Sequence, residues 1–183
     1  LLQPGNLSSW IIKGDIQNIQ TVSSAVKNSD VIVHLAGISD GRAGKKNPEL
    51  TRKINFDAFK NLIQIASDSG IKRFINMSTF GVYGNNYTCE LTEDLPVNPQ
   101  DPYSETKALS EEITYNFNNE NFTTTSIRLA MVFGWSPKMR FDFLVNTLIK
   151  NAVENKEINI LGGKQIRPQI HISDVSKILI KLI

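Results

Sequence analysis

Apolar positions along this chain follow two alternating rhythms, and each predicts its own kind of element. Short, nearly continuous apolar runs mark buried strands. Runs with apolar residues three and four apart mark helices. Residues 10–14, Trp10-Ile11-Ile12-Lys13-Gly14, read as the end of a strand, and residues 19–27 as a helix with Val22 and Val26 on one face. Residues 30–37 form an apolar run closed by Gly37, as a buried parallel strand would be. A long helix is predicted over 47–69, with Leu50, Ile54, Ala58, Leu62, Ile65 and Ala66 in register and Gly70 as its stop. A strand over 72–78 follows, then a loop with Pro96, Pro99 and Pro102, a helix over 103–118 and a β-branched strand over 123–132. Beyond Gly134 the pattern breaks at Trp135-Ser136-Pro137. A helix over 141–153, a strand over 158–161, a Gly162-Gly163 turn, an extended piece over 167–172 and a helix start near Ser173-Asp174 are predicted there. Strands alternating with helices argue for a parallel sheet covered on both faces. Ligands of such sheets bind beyond the carboxyl ends of the strands. That rule gathers Asp15, Ala36-Gly37, Ser78-Thr79 and the segment after Arg128 along one edge.

Composition narrows the class. Of 183 residues, 40% are hydrophobic and 21% charged, as in an ordinary globular protein. The net charge of +2, with Lys and Arg dispersed, speaks against nucleic-acid binding. No apolar stretch is long enough to span a bilayer. Cys89 is the only cysteine, so no internal disulfide can form, which fits a cytoplasmic location. No set of His, Cys and carboxylate residues has metal-ligand spacing; His34 and His171 lie in apolar strand patterns and read as structural. The chain opens Leu1-Leu2-Gln3-Pro4-Gly5, its first methionine is Met77, and residues 178–183 stop inside an amphipathic run. The expectation is a piece of a longer protein.

The sharpest local feature is Tyr103-Ser104-Glu105-Thr106-Lys107. Residues four apart share a helix face, so the phenol and the ammonium can approach one point. A free tyrosine, with a pKa of about 10, is a poor base at neutral pH. A fixed cation favours the phenolate and lowers that value. The pair is therefore a way to build a general acid/base. Alone, so short a motif is a weak signal.

It has company. Ser78-Thr79 closes a strand and is followed by Phe80-Gly81-Val82-Tyr83-Gly84, then Pro99-Gln100-Asp101-Pro102 and Tyr103. Gly14-Asp15-Ile16, His34-Leu35-Ala36-Gly37, the Asn55-Phe56 and Asn61-Leu62 pairs, residues 128–134 and the Arg167-Pro168, Ile170-His171-Ile172, Asp174-Val175 series complete the set. In order and spacing this resembles the extended short-chain dehydrogenases, the NAD-dependent epimerase/dehydratase family. Ala58 and Phe59 depart from that family's pattern, which has Gly and Thr there. The resemblance covers nearly the whole chain. It implies a Rossmann-like α/β fold, a parallel sheet with helices on both faces, that is N-terminally truncated by loss of the first βαβ unit. Residues 1–134 would form a partial NAD(P)-binding domain, and 135–183 the beginning of a small substrate-binding lobe with a return segment.

The resemblance also implies roles. Tyr103 matches the family's catalytic base and Lys107 its partner, which also binds the nicotinamide ribose. Thr79 matches the residue that bonds the reacting sugar oxygen, with Ser78 as runner-up; the plain alternative for Thr79 is a strand-end cap. Asp15 and Ile16 match the adenine-contacting pair, although Gly-Asp is also an ordinary turn dipeptide. Leu35, Ala36 and Gly37 match a stretch that lets backbone approach the cofactor. Asn55 and Ser78 also fall on the cofactor side. Asn55 is a mid-helix residue of poor helix propensity, so a bonding role fits it. Arg167 matches an arginine that pairs with the diphosphate of a nucleotide sugar; a surface ion pair is the plain alternative.

The implied activity is NAD- or NADP-dependent epimerisation or keto-reduction of a nucleotide sugar. Tyr103 would take a proton from a sugar hydroxyl while the carbon beneath gives hydride to the nicotinamide. Phe80-Gly81 stands where dehydratases of the family carry Asp-Glu after the Thr, which argues against a 4,6-dehydratase. A homodimer through the helices over 47–69 and 103–118 is implied as well. The phosphate loop, and the residue that separates NAD from NADP, are absent from the sequence, so poor cofactor binding by these residues alone is expected. Two alternatives stand beside this reading. One is a reductase of non-sugar carbonyls. The other is a non-catalytic cofactor-sensing or interaction protein, or an inactive fragment.

Overall fold

The computed structural model describes residues 11–39, 41–84 and 90–183. Trp10, Cys89 and the first residues of the chain lie outside that description.

Three parallel strands form the main sheet in the order β1 (Val31–His34), β2 (Arg73–Thr79), β3 (Thr123–Leu129). Their register pairs His34 with Asn76 and Thr79 with Leu129, so the carboxyl ends align. A second sheet pairs β4 (Met131–Phe133) with β5 (Gln169–His171), also in parallel. The strand predicted over 123–132 is thus broken at Ala130. Residues 11–14 and 158–161 carry no strand pairing, contrary to the pattern reading. Their Ile residues have no neighbouring backbone ladder among the described residues, and an apolar run alone cannot specify one.

The helices are α1 (Ile19–Val26), α2 (Gly41–Lys46), α3 (Pro48–Arg52), α4 (Ala58–Asp68), α5 (Pro102–Phe117), α6 (Leu144–Glu154) and α7 (Ile172–Leu182). A π-helical turn, Lys53–Asp57, joins α3 to α4, so 48–68 is one helical run with a local widening. Asn47 caps it, its side chain accepting from Leu50 N at 3.0 Å, with Pro48 in the first turn where its missing N–H costs nothing. Gly70, at φ +75°, ends it in the left-handed conformation.

Alternation along β2 divides the core. Phe74 faces Val22 and Val26 of α1 and Phe59, Leu62, Ile63 and Ala66 of α4. Ile75 and Met77 face the other way, toward Val175, Leu179 and Leu182 of α7. The sheet is therefore covered on both faces, the doubly wound arrangement of a Rossmann-like fold. The face of the sheet beneath α5 is polar. Asn76 Nδ2 donates to Ser110 Oγ at 3.0 Å and to Ser126 Oγ at 3.2 Å, and Thr124 Oγ1 donates to Thr114 O.

Candidate active site

The carboxyl ends of β2 and β3 open into a cavity of about 530 Å³. Thr79, Tyr103, Ser78 and Arg167 all line it. Each arrives by a local device. Asp101 caps α5, accepting from Ser104 N at 2.9 Å and Ser104 Oγ at 3.2 Å, and Pro102 occupies the first helical position. That start point fixes Tyr103 in the first turn of α5, packed closely on Gly44 of α2. Thr79 ends β2 and caps a short 3₁₀ turn, Phe80–Tyr83, by accepting from Gly81 N at 3.1 Å. A hydroxyl has two acceptor sites and one donor. The bond from Gly81 uses one acceptor site, and the Thr79 O–H remains able to donate to a group in the cavity. Arg167 comes from the segment before β5, and Arg140 and Lys45 also line the cavity. Arg140 is bonded to Asp142 through Nε at 2.7 Å and Nη2 at 2.6 Å.

Lys107 sits one turn behind Tyr103, buried, with Nζ donating to Met77 O at 2.7 Å. It is thus anchored to the strand whose end carries Thr79. Burial lowers its pKa from 10.5 to about 8, so it remains a cation at neutral pH. Ser78 points its hydroxyl at Glu111 rather than outward, donating to Oε1.

Asp15, Ile16, Leu35 and Ala36 come together elsewhere, in a groove of about 370 Å³ beside β1. His34 also lines it, pressed between Phe59 and Phe74 with ring centroids 5.2 and 6.2 Å away. Burial, and then the charge of Lys107, lower the His34 pKa to about 4, so it is neutral at physiological pH. Asn55 lies between the two regions. Its Oδ1 accepts from Ile38 N at 2.8 Å and its Nδ2 donates to Ile38 O at 2.9 Å. These two hydrogen bonds to the backbone N–H and C=O of Ile38 hold the loop after β1, and the π-helical turn aims Asn55 at it. A Cβ on Gly37 would fall 2.8 Å from Asn55 Oδ1, so only glycine lets the loop lie this close. Small side chains and an acidic residue beside an open groove suit the adenosine half of a dinucleotide. The two regions lie at neighbouring strand ends, as a nicotinamide dinucleotide would require.

Sequence reasoning missed three participants. Glu111 lies one turn beyond Lys107, so extending the spacing 103, 107 by four more residues would have reached it. Arg140 and Lys45 had no local motif; only the fold brings them to the cavity.

A model of the NAD dependent epimerase/dehydratase family matches residues 3–183, and the chain belongs to that family. It is 29% identical over 168 residues to a UDP-glucuronate 4-epimerase of Thermodesulfobacterium geofontis, covering 89% of this chain and 51% of that protein. It is 31% identical over 159 residues to the human sterol-4-alpha-carboxylate 3-dehydrogenase, covering 84% of this chain and 41% of that enzyme. The solved structure of MoeE5 with UDP-glucuronic acid and NAD superposes with a TM-score of 0.82 at 26% identity, over 93% of this chain and 57% of that one. The chain thus spans about half the length of the curated relatives it matches. Among the described residues no helix is long and apolar enough to cross a membrane.

Proposed function

We propose that this chain carries the acid–base half of a nicotinamide-dependent site acting on a nucleotide-linked sugar, as an epimerase or a keto-sugar reductase. The observation that carries the reading is the convergence of Thr79, Tyr103 and Arg167 on one cavity, with the Lys107 ammonium buried behind it. Bound there, the nicotinamide would accept or return hydride. Tyr103 removes the proton of a sugar hydroxyl, Thr79 donates to the same oxygen, and Lys107 favours the ionised phenol. Arg167 and Lys45 line the cavity with cations suited to a diphosphate, beside Arg140, which Asp142 holds. Asp15, Ile16, Leu35 and Ala36 hold the adenosine end, and Gly37 and Asn55 shape the passage between. NAD and NADP both remain in the reading, since none of these residues addresses the ribose 2′ position. We assign residues 1–134 to the cofactor side, 135–183 to the substrate side with a return segment whose helix α7 packs back on the main sheet, and pairing of two copies to the helices over 47–69 and 103–118.

Similarity to a sterol dehydrogenase favours a second reading, oxidation or reduction of a non-sugar alcohol or carbonyl. The cations decide between them. Arg167→Ala should raise KM for a UDP- or dTDP-hexose and leave turnover of a neutral steroid unchanged.

The test of the main reading is Tyr103→Phe in the intact protein, assayed on UDP- and dTDP-linked hexoses with either cofactor. Loss of an acid/base group costs about 10²–10⁴-fold in kcat. Cofactor affinity, followed by nicotinamide fluorescence, should stay within about threefold, the scale of a lost peripheral contact. Turnover within a few-fold of wild type would remove Tyr103 from the chemistry.

A further inference from the structure

Thr79 stands between two anchored neighbours, and both anchors belong to one side-chain network. On one side, Ser78 Oγ donates to Glu111. On the other, the Tyr83 hydroxyl accepts from Arg128 Nη1 at 2.8 Å, and the guanidinium lies 4.8 Å from the Tyr83 ring centroid. Glu111 and Arg128 close the circuit. Arg128 Nε reaches both carboxylate oxygens, at 3.1 and 3.0 Å, and Nη2 reaches Oε2 at 2.8 Å. The two side chains are only 12% and 20% exposed. Arg128 Nη1 also donates to Glu93 O at 3.2 Å, tying in the loop that leads to α5.

The chain from 78 to 83 is thus pinned at both ends by groups that are themselves locked together. Four elements meet at this pair: β2 and its 3₁₀ turn, β3, α5 and the 93–100 loop. Lys107 and Glu111 extend from the same face of α5, so the network shares the helix that presents Tyr103. A buried ion pair is seldom the cheapest way to stabilise a fold, since apolar residues of similar volume often do as well. What a planar, two-pronged contact adds is a fixed direction.

Resting on the reading of Thr79 given above, we infer that the Glu111–Arg128 pair, with Tyr83, is a positioning device that sets the Thr79 hydroxyl against Tyr103. None of the three touches the reacting atoms in this assignment; they act through the backbone between Ser78 and Tyr83. The guanidinium keeps its charge at any working pH, and its bonds to Glu111 raise its pKa further. The clamp therefore does not loosen as Lys107, with a pKa lowered to about 8, loses its proton.

Two conservative variants of the intact protein test this. Tyr83→Phe keeps the ring and removes one anchor. Arg128→Lys keeps the charge and removes the fork. Misplacement of a reacting group by about 1 Å costs on the order of 10²-fold in rate. We expect kcat to fall by roughly 10–100-fold in each, with KM within about twofold and the pH profile unshifted. Because both variants release the same hydroxyl, the double variant should lose much less than the product of the two single losses. Thr79→Val is measured alongside. If it loses turnover while Tyr83→Phe and Arg128→Lys retain it, the clamp is wrong and the role of Thr79 stands. If Thr79→Val itself turns over normally, the role of Thr79 falls and the clamp with it. A loss in the two variants that follows their melting temperatures, or appears in KM rather than kcat, also overturns the assignment.

Discussion

Replacing His34 should remove a measurable part of the protein's acid sensitivity. The imidazole is packed between Phe59 and Phe74, and its pKa is lowered from 6.5 to about 4 by burial and, second, by the charge of Lys107. The unfolded chain therefore binds more protons than the folded one between these two values. Stability contributed by the neutral ring is fully present above about pH 6.5 and is lost as pH falls toward 4. Over the interval from pH 7 to pH 5, linkage with these two pKa values gives a loss of about 1.8 kcal/mol from this one side chain. Most carboxylates titrate below that interval, so it isolates histidine. The perturbation is His34→Phe, which keeps an aromatic ring against Phe59 and Phe74 and cannot take up a proton. The assay is urea unfolding at pH 7 and pH 5, read as the difference between wild type and variant in the drop between the two. Absolute stability of the variant is not the observable, because a phenyl ring fills the site differently. Equal drops in the two proteins would refute the reasoning and mean that His34 is solvated or relieved on protonation.

Lys107 gives two linked expectations. Its cation predominates below about pH 8 and is lost as pH rises through that value, so turnover should decline on the alkaline side near it; a Lys107→Arg enzyme that is active should keep its rate to higher pH, and identical profiles would exclude Lys107 as the group responsible. Asn55→Ala should destabilise by about 2 kcal/mol, since it strips one hydrogen bond each from the partly buried N–H and C=O of Ile38, and hydrogen exchange at Ile38 should rise selectively; unchanged exchange there would show that the loop is held by something else.

Much of the fold could be read from the sequence because its strands and helices carry strong and different periods. The helices at 19–26 and 48–68 and the strand at 73–79 follow from residues such as Val22, Val26, Ala58, Leu62, Ala66, Phe74 and Ile75, which are apolar in register with the faces they bury, although Leu50 of the expected stripe is exposed and Phe59 and Ile63 are buried beside it. The sequence could not show the π-helical turn at Lys53–Asp57, because it changes the hydrogen-bond partner without changing the apolar stripe. It could not show α2 either, whose Gly-Arg-Ala-Gly-Lys-Lys run carries two glycines and has no apolar face. Its position is set by Gly44 packing on Tyr103. At the site, Tyr103 and Lys107 were visible as a spacing and Thr79 as a strand end. Arg140 and Lys45 reach the cavity from distant segments, and no local pattern marks that.

The helix to which the proposed function assigns Tyr103 and Lys107, α5, is fully buried only at polar positions. The α5 residues turned inward are Ser104, Thr106, Lys107, Ser110 and Thr114, and the strands beneath them present Asn76, Ser78, Ser126 and Arg128. An apolar seam here would be easier to stabilise. A buried Lys107 with its pKa near 8 costs the folded state about 3 kcal/mol at neutral pH relative to an ordinary lysine, the sign following from its depressed value. Asn76 Oδ1, fully buried, has no partner among the described residues, a further penalty of about 1–3 kcal/mol unless a water fills the gap. These costs are borne at one seam while Phe59, Phe74, Ile63 and Ile75 supply the burial on either side of it. A chain retained only as a scaffold or a docking surface has no reason to keep such a seam, because replacement of Lys107 by an apolar residue would make the fold more stable. The arrangement makes sense if the ammonium, the phenol and the hydroxyl are needed where they stand, and if the bonds among Ser78, Glu111, Arg128 and Tyr83 hold them there.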